Sequence, residues 1–242
     1  MANSVVMPNL DRRSYQKELL DRNDIPFDDI ALNMKELNFI NTYLGGHSIT
    51  LNGLKKLISA PHFRNKELVI CEIGCGGGDN LQIISHWCRK NNIKLRTIGI
   101  DINPDCIAYA QSSFKDPYAD WVSSDYRVVR FEKKPDIIFN SLFCHHFDDE
   151  QMIEILHWMK EQSRIGFFIN DLHRNSLAFY SIKWLTRLFS KSYLVKNDAP
   201  LSVTRGFKKN ELKSFLNKAG IIDYTISWKW AFRWLITSTN TR

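Results

Sequence analysis

Apolar residues recur every three or four positions in the first part of the chain, as they do along one face of a helix. Between residues 26 and 44 they are Ile30, Met34, Leu37, Ile40 and Leu44. The pattern predicts a helix over residues 26–44, which Gly45 and Gly46 would end. A shorter helix is expected over residues 48–59. The two helices together predict an N-terminal helical cap over residues 1–62.

From residue 67 onward, short apolar runs alternate with segments that have a helical period. The runs predict strands at residues 67–73, 95–100, 120–124, 136–140 and 165–170. Helices are expected between them, at residues 78–89, 104–113 and 148–163. Such alternation is typical of βαβ units and a parallel sheet. It predicts one α/β domain over residues 63–242.

The last third of the chain carries three further segments. Residues 176–190 predict a helix that interrupts the alternation, within an insertion at about residues 175–206. Residues 208–219 predict an amphipathic helix. Residues 221–238 alternate aromatic with other side chains, which predicts either one long strand or a hairpin that turns near residues 230–232.

Composition limits the class of protein. The chain has 242 residues, of which 44% are hydrophobic, enough for an α/β domain with a sizeable core. Its apolar runs are shorter than the ~18 residues of a membrane span, and its polar start is unlike a secretory signal. Five cysteines without a C-x-x-C pair argue against a disulfide framework or a zinc site. We therefore expect a cytoplasmic protein with reduced cysteines and no metal.

The charge is uneven along the chain. The net charge is +7, and lysine and arginine are concentrated from Lys183 onward. A basic surface attracts nucleic acid, an anionic membrane surface or an acidic substrate. An ordinary solvated surface has the same composition, so the sequence leaves these alternatives open.

Four glycines follow the first predicted strand and lead into a helix. Gly74, Gly76, Gly77 and Gly78 would let the backbone approach a nucleotide-like ligand closely, beside the free N–H groups of a helix N-terminus. Asp79 occupies the place where the dinucleotide fingerprint has its third small residue. Glu72, just before the loop, would repel phosphates and attract an ammonium or sulfonium group. These two acids favour S-adenosylmethionine over NAD as the ligand.

Two more acids stand at the ends of predicted strands. Asp101 follows the second strand, where a carboxylate accepts hydrogen bonds from ribose hydroxyls, and Ile102 beside it would pack on an adenine face. Asp125 follows the third strand, where it would accept a hydrogen bond from the adenine amino group or cap a turn. The three loops predict one nucleoside site at the edge of the sheet.

The runs VICEIGCGGG, TIGIDINP, SSD and DIIFNSLFCHHF occur in this order in the chain. They resemble the motifs of class I S-adenosylmethionine-dependent methyltransferases over about residues 67–238. The resemblance implies a Rossmann-like, seven-stranded, mostly parallel sheet with helices on both faces and an antiparallel last strand. It implies S-adenosylmethionine as methyl donor, S-adenosylhomocysteine as product and no metal. The expected cofactor residues are Glu72, Gly74, Cys75, Gly76, Asp101, Ile102, Asp125 and Asn140.

Histidines follow the fourth and fifth predicted strands. Methylation of a hydroxyl requires loss of its proton, and a phenol with a pKa near ~10 needs a base at neutral pH. Loops at the carboxyl ends of strands carry function in open α/β sheets. His146 and His173 are therefore candidate catalytic residues, while packing around the cofactor is the alternative for His145 and His146.

The segments ELNFINTYLGGHSITLNGLKKL, NDLHRNSLAFY and SVTRGFKKNEL are similar to a bacterial group of UbiE-like methyltransferases associated with aromatic polyketide or pigment biosynthesis. This resemblance implies O-methylation of a phenolic or polyketide-like hydroxyl, with C-methylation as an alternative. Arg174 and Arg205 are candidate contacts to an acidic or phenolate oxygen. Tyr43 is a candidate wall of an aromatic acceptor pocket. Each of the three has an ordinary surface or packing role as its alternative.

Two other functions compete with this interpretation. An RNA or protein methyltransferase would use the basic last third for docking, and a non-catalytic protein would bind the cofactor without turnover. Nucleic-acid methyltransferases often carry Asn/Asp-Pro-Pro-aromatic after the fourth strand, whereas residues 140–143 read Asn-Ser-Leu-Phe. We therefore expect a small aromatic acceptor rather than a nucleic acid, and a monomer or homodimer.

Overall fold

The computed structural model describes residues 9–22, 24–58 and 66–240. Its centre is a seven-stranded sheet. The strands are Glu67–Ile73 (β1), Lys94–Asp101 (β2), Ala119–Ser123 (β3), Ile137–Ser141 (β4), Gly166–Leu172 (β5), Tyr224–Lys229 (β6) and Arg233–Thr239 (β7). They lie in the order β3-β2-β1-β4-β5-β7-β6. Strands β1 to β5 are parallel, and β7 is antiparallel to both β5 and β6. The predicted fold class is confirmed.

Eight α-helices surround the sheet in the described residues. They are Phe27–Tyr43 (α1), Gly46–Leu57 (α2), Asp79–Lys90 (α3), Pro104–Ser113 (α4), Asp149–Gln162 (α5), Ser176–Phe189 (α6), Tyr193–Arg205 (α7) and Lys209–Lys218 (α8). None of these helices is long and apolar enough to cross a membrane. All five cysteines lie in the described part of the chain and are buried free thiols.

Alternation along the strands divides the core between the two faces of the sheet. In β4, Ile137 and Phe139 join a cluster with α2 and α3, while Ile138 joins a cluster with α5 and α8. The rings of Phe139 and Phe168 stack at 4.7 Å between centroids. Gly53 of α2 lies so close that a Cβ there would be 2.5 Å from the Phe168 ring. Helix α2 is therefore a layer of the core as well as part of the N-terminal region.

The structure adds detail to several sequence-based predictions. Helix α2 spans Gly46–Leu57 where residues 48–59 were expected, and the predicted cap boundary after residue 62 lies outside the described residues. The segment expected to be an insertion contains a second helix, α7, which the sequence analysis did not predict. The end of the chain forms the hairpin β6–β7, which confirms one of the two alternatives.

An extended N-terminal strap (residues 10–22) crosses the edge of the sheet where the parallel strands end. Arg13 anchors it: its Nε donates to the Arg205 carbonyl at 3.1 Å, its Nη2 donates to the Phe147 carbonyl at 2.8 Å, and its guanidinium lies 4.5 Å from the Phe207 ring centroid. Further along the strap, the amides of Leu19 and Leu20 donate to the Asp198 carboxylate. The strap is thus held by buried polar contacts although it has little regular structure.

Phe168→Ala is expected to lower the free energy of unfolding by about 3–5 kcal/mol, because it removes a fully buried ring and leaves a cavity. Phe189→Ala makes the same change at a ring that is 75% exposed, and it is expected to cost less than about 0.5 kcal/mol. Urea unfolding followed by circular dichroism measures both. Equal losses in the two variants would contradict the assignment of the core.

Candidate active site

A cavity of about 680 Å³ opens at the carboxyl ends of β1, β2, β3 and β4. The loops that follow these strands form its floor, and α1 and the strap form its roof. From the strap, Leu20, Asp21 and Arg22 line it. This is the edge at which ligands bind in open α/β sheets.

The glycine loop is shaped by close packing as well as by turn geometry. Gly74 has a φ of 67°, in the left-handed region that favours glycine. A Cβ at Gly74 would lie 2.1 Å from the Phe143 ring, so the loop after β4 rests on the loop after β1. The Gly76 amide donates to Asp101 Oδ2 at 2.9 Å, which also joins the loop after β2.

Carboxylates form one end of the cavity. Glu72 is 1% exposed, and its Oε1 accepts a hydrogen bond from Asn80 Nδ2 at 2.8 Å. In the described residues, Glu72 Oε2 has no hydrogen-bond donor, and Asp79 Oδ2 has none either but lies 3.5 Å from His47 Nε2. Burial and the nearby charge of Asp79 raise the pKa of Glu72 well above its usual value. A buried carboxylate oxygen without a donor is costly, so this end of the cavity suits a cationic, hydrogen-bond-donating ligand.

Asp101 lies in the middle of the cavity floor. Its Oδ1 accepts from the Asn103 amide and its Oδ2 from the Gly76 amide, both at 2.9 Å. Burial raises the pKa of Asp101, and these backbone hydrogen bonds act in the opposite direction. Each carboxylate oxygen has a further lone pair, so Asp101 can still accept from a ligand hydroxyl. Ile102 beside it is 71% exposed and presents an apolar surface.

Asp125 lies at the far end of the cavity and already has a partner. It caps the short 3₁₀ helix Tyr126–Val128 by accepting from the Arg127 amide. It also accepts from the Arg127 guanidinium, and this hydrogen bond lowers the pKa of Asp125. The capping role and a place in the cavity lining, both expected from the sequence, therefore coexist at one residue.

The two adjacent histidines have different surroundings. His146 lines the cavity, and its Nδ1 lies 3.1 Å from Asp21 Oδ1 of the strap. His145 is buried, with Nδ1 2.8 Å from Asp171 Oδ1. Burial alone would lower the pKa of His145, but Asp171 and Glu18 raise it by more, to about 9. His146 is thus the histidine that a ligand in the cavity can reach.

Asn140, which was expected to contact the cofactor, lies on the face of the sheet that packs against α5. Its Nδ2 lies 3.4 Å from Met159 Sδ, and its Oδ1 accepts from Cys144 Sγ at 3.3 Å. The cause is the alternation of β4, because Asn140 shares the face of Ile138 toward α5. In the described chain, the next three residues, Ser141, Leu142 and Phe143, line the cavity in its place.

The two arginines proposed for the acceptor are structural. Arg174 is 2% exposed; it donates to the Leu10 and Gly206 carbonyls and pairs with Glu211 at 2.6 Å. Arg205 is 4% exposed and donates to three backbone carbonyls, those of Gln16, His145 and His146. Their donors are used in holding the strap and the carboxyl edge together. These contacts give both arginines a structural role in the described residues, and the expected contact with an acceptor stays a prediction.

His173 and Tyr43 lie outside the cavity lining found in the described residues. His173 Nδ1 accepts a hydrogen bond from Trp228 Nε1 at 3.3 Å. Burial and the charges of Arg174 and Lys208 lower the pKa of His173. Tyr43 is 72% exposed and packs on Phe39, with ring centroids 4.4 Å apart. The structure therefore does not bring these two residues to the cavity.

Sequence reasoning expected the N-terminal helices beside the pocket, through Tyr43, but missed the residues that form the roof of the cavity. Its residues in α1 are Ile30, Met34, Leu37 and Asn41. The helical period identified the first three as one buried face, but that face also covers the cavity. The strap has no period, so its position over the site gave no sequence signal.

Part of the chain is similar to a known family of protein domains. Residues 70–165 match a family model described as a methyltransferase domain. This stretch contains the glycine loop, Asp101, Asp125 and both adjacent histidines. No curated protein matches the chain significantly at the sequence level.

Three solved structures illustrate the likeness in fold. The plantazolicin methyltransferase BpumL in complex with SAH is 18% identical, covers 91% of this chain and 92% of its own, and has a TM-score of 0.65. Human N-acetylserotonin methyltransferase in complex with SAM is 16% identical with a TM-score of 0.62; 90% of this chain spans 57% of that protein. Magnesium protoporphyrin IX methyltransferase from Synechocystis PCC 6803 is 13% identical, with coverage of 91% and 90% and a TM-score of 0.50. The chain has the Rossmann-like fold of these methyltransferases.

Glu72→Gln is expected to raise the Kd for S-adenosylmethionine on the order of 10- to 100-fold, because a hydrogen bond to a charged group contributes about 1.5–3 kcal/mol. Glu67→Gln makes the same change at an exposed position of β1 and is expected to leave the Kd unchanged. Isothermal titration calorimetry measures both. Unaltered affinity in Glu72→Gln would contradict the assignment of the acidic end.

Proposed function

We propose that this chain is an S-adenosylmethionine-dependent methyltransferase that acts on a small molecule. The observation that carries the proposal is the row of carboxylates along one cavity, within the segment that matches the methyltransferase-domain family. A sulfonium cofactor with an ammonium group has positive charge at one end and hydroxyl and amino donors along the rest. The order of Glu72, Asp101 and Asp125 matches that distribution of charge and donors.

Each part of the cofactor then has a candidate contact. Glu72 and Asp79 would attract the ammonium end, and the backbone of Gly74, Cys75 and Gly76 would border the methionine part. Asp101 would accept from the ribose hydroxyls. Ile102 and Asp125 would contact the adenine ring, with Asp125 either keeping Arg127 or exchanging it for the adenine amino group.

The acceptor would be a small aromatic molecule with a hydroxyl group. The proteins similar in fold are named for plantazolicin, N-acetylserotonin and magnesium protoporphyrin IX, which supports a small-molecule acceptor but differs in chemistry from one to the next. Apolar residues of the roof, Met34 and Leu37, suit a flat ring. His146 is the candidate base, because it lines the cavity and Asp21 would hold its ring in place.

Transfer of a labelled methyl group tests this function directly. Purified protein is incubated with methyl-labelled S-adenosylmethionine and, separately, with a panel of phenols, with total RNA and with a protein mixture. Label is expected in one or more phenols, with S-adenosylhomocysteine released in equal amount. Label confined to RNA or protein would overturn the small-molecule assignment, and cofactor binding without transfer to any acceptor would overturn the enzymatic one.

His146→Ala is expected to lower kcat by about 100-fold or more, in line with the usual contribution of a general base, while the Kd for S-adenosylmethionine changes little. His86→Ala, at an exposed position of α3, serves as the matched control and should match the parent protein. Steady-state kinetics with a phenol from the panel give kcat. An unchanged kcat would remove His146 from the chemistry.

A further inference from the structure

Two histidines and a glutamate converge between the strap and the short 3₁₀ helix Cys144–His146. His145 Nε2 lies 3.4 Å from Glu18 Oε1, and His146 Nε2 lies 3.7 Å from Glu18 Oε2. One ligand atom from each side chain lies within 4.8 Å of the other two. Glu18 and His145 are buried, and His146 is partly exposed. The three side chains form a compact donor set of two imidazole nitrogens and one carboxylate oxygen.

The second nitrogen of each imidazole lies against another carboxylate. His145 Nδ1 is 2.8 Å from Asp171 Oδ1, and His146 Nδ1 is 3.1 Å from Asp21 Oδ1. A histidine that binds a metal almost always donates its other N–H in this way, which fixes the tautomer and the direction of the free nitrogen. Both histidines show this arrangement, and both direct Nε2 toward Glu18.

The spacing of the three donors suits a tetrahedral ion. Zinc binds histidine nitrogen and carboxylate oxygen at about 2.0–2.2 Å, which places two ligand atoms on a tetrahedral ion about 3.4 Å apart. His145 Nε2 lies 3.4 Å from Glu18 Oε1 and His146 Nε2 lies 3.7 Å from Glu18 Oε2, so each imidazole is near this value from a different oxygen of the same carboxylate. One ligand atom of each of the three residues lies within 4.8 Å of the other two. Ser202 Oγ donates to Glu18 Oε1 at 2.7 Å and helps to hold the carboxylate in place.

We propose that Glu18, His145 and His146 form a binding site for a divalent transition metal, of which zinc best suits the donor set. Two histidines and one carboxylate are a known ligand set for zinc with an open fourth position. One of the three residues, His146, also lines the cavity. Because Glu18 belongs to the strap and the histidines to the edge of the sheet, a bound ion would join the roof of the cavity to its floor.

This site has a consequence for the proposed methyl transfer. If an ion occupied His146 Nε2, that nitrogen could not act as the base proposed above. An ion whose open position faced the cavity would instead lower the pKa of a bound acceptor hydroxyl. The metal site itself rests on the geometry of the donors alone. It stands or falls independently of the acceptor and of the methyl transfer.

Metal titration of the cofactor-free protein tests the site. The protein is treated with a chelator, dialysed, and titrated with zinc chloride in a calorimeter; cobalt(II) is added to a parallel sample for visible spectroscopy. We expect one zinc ion per chain and the intense visible absorption of four-coordinate cobalt. Glu18→Gln and His146→Gln, which keep side-chain size, should each weaken zinc binding by at least about 10-fold.

Glu150→Gln and His157→Gln are the matched controls, because both residues are exposed on α5, and their zinc affinity should equal that of the parent protein. Circular dichroism identifies a variant that fails to fold, in which case the other variant and the cobalt spectrum of the parent protein decide. Absence of stoichiometric zinc binding, an octahedral cobalt spectrum, or equal affinity in the Glu18 and His146 variants and in their controls would overturn the proposal. In that event the three residues form an ion-paired network only.

Discussion

The hydrogen bond from the Gly76 amide to Asp101 joins the two loops on which the cavity depends. Strands β1 and β2 are parallel neighbours, so their loops leave the sheet at the same edge and lie side by side. Asp101 holds both, because its second oxygen accepts from Asn103 in its own loop. The ring of Phe143 then packs where Gly74 has no side chain, which fixes the loop after β4 to the same point. The floor of the site is therefore one connected unit built on a carboxylate.

The carboxylates that line the cavity differ in how many hydrogen-bond donors surround them. Asp125 has Arg127, and Asp101 has two backbone donors, whereas Glu72 has a single amide donor for one of its two oxygens. Burying a carboxylate without full partners disfavours its charged form, and the raised pKa of Glu72 expresses this. The fold keeps a costly group at the one place where the proposed cofactor carries positive charge. This is the physical basis for proposing that the cationic end of the cofactor lies at Glu72.

Charged side chains hold the strap in place over the carboxyl edge of the sheet. Arg13 and Arg205 donate to backbone carbonyls where the strap meets the carboxyl edge, and Glu18 faces the two histidines. These contacts are buried, so their loss would leave unpaired charged groups rather than solvated ones. Of these side chains, His146 also lines the cavity, where its Nδ1 lies 3.1 Å from Asp21 of the strap.

The sequence by itself determined the first five strands and most of the helices, the parallel sheet, the glycine loop and the acids Glu72 and Asp101, because periodicity, glycine and the ends of strands are local features. It did not predict α7, and it left the hairpin β6–β7 as one of two alternatives. It also indicated His146 near the cavity. Only the tertiary structure decided that Asn140 faces α5, since a shift of one residue along a strand reverses the face. It likewise decided that Arg174 and Arg205 are buried in the structure and that Glu18 meets His145 and His146. Residues more than 100 positions apart come together through the path of the strap, which no local pattern encodes.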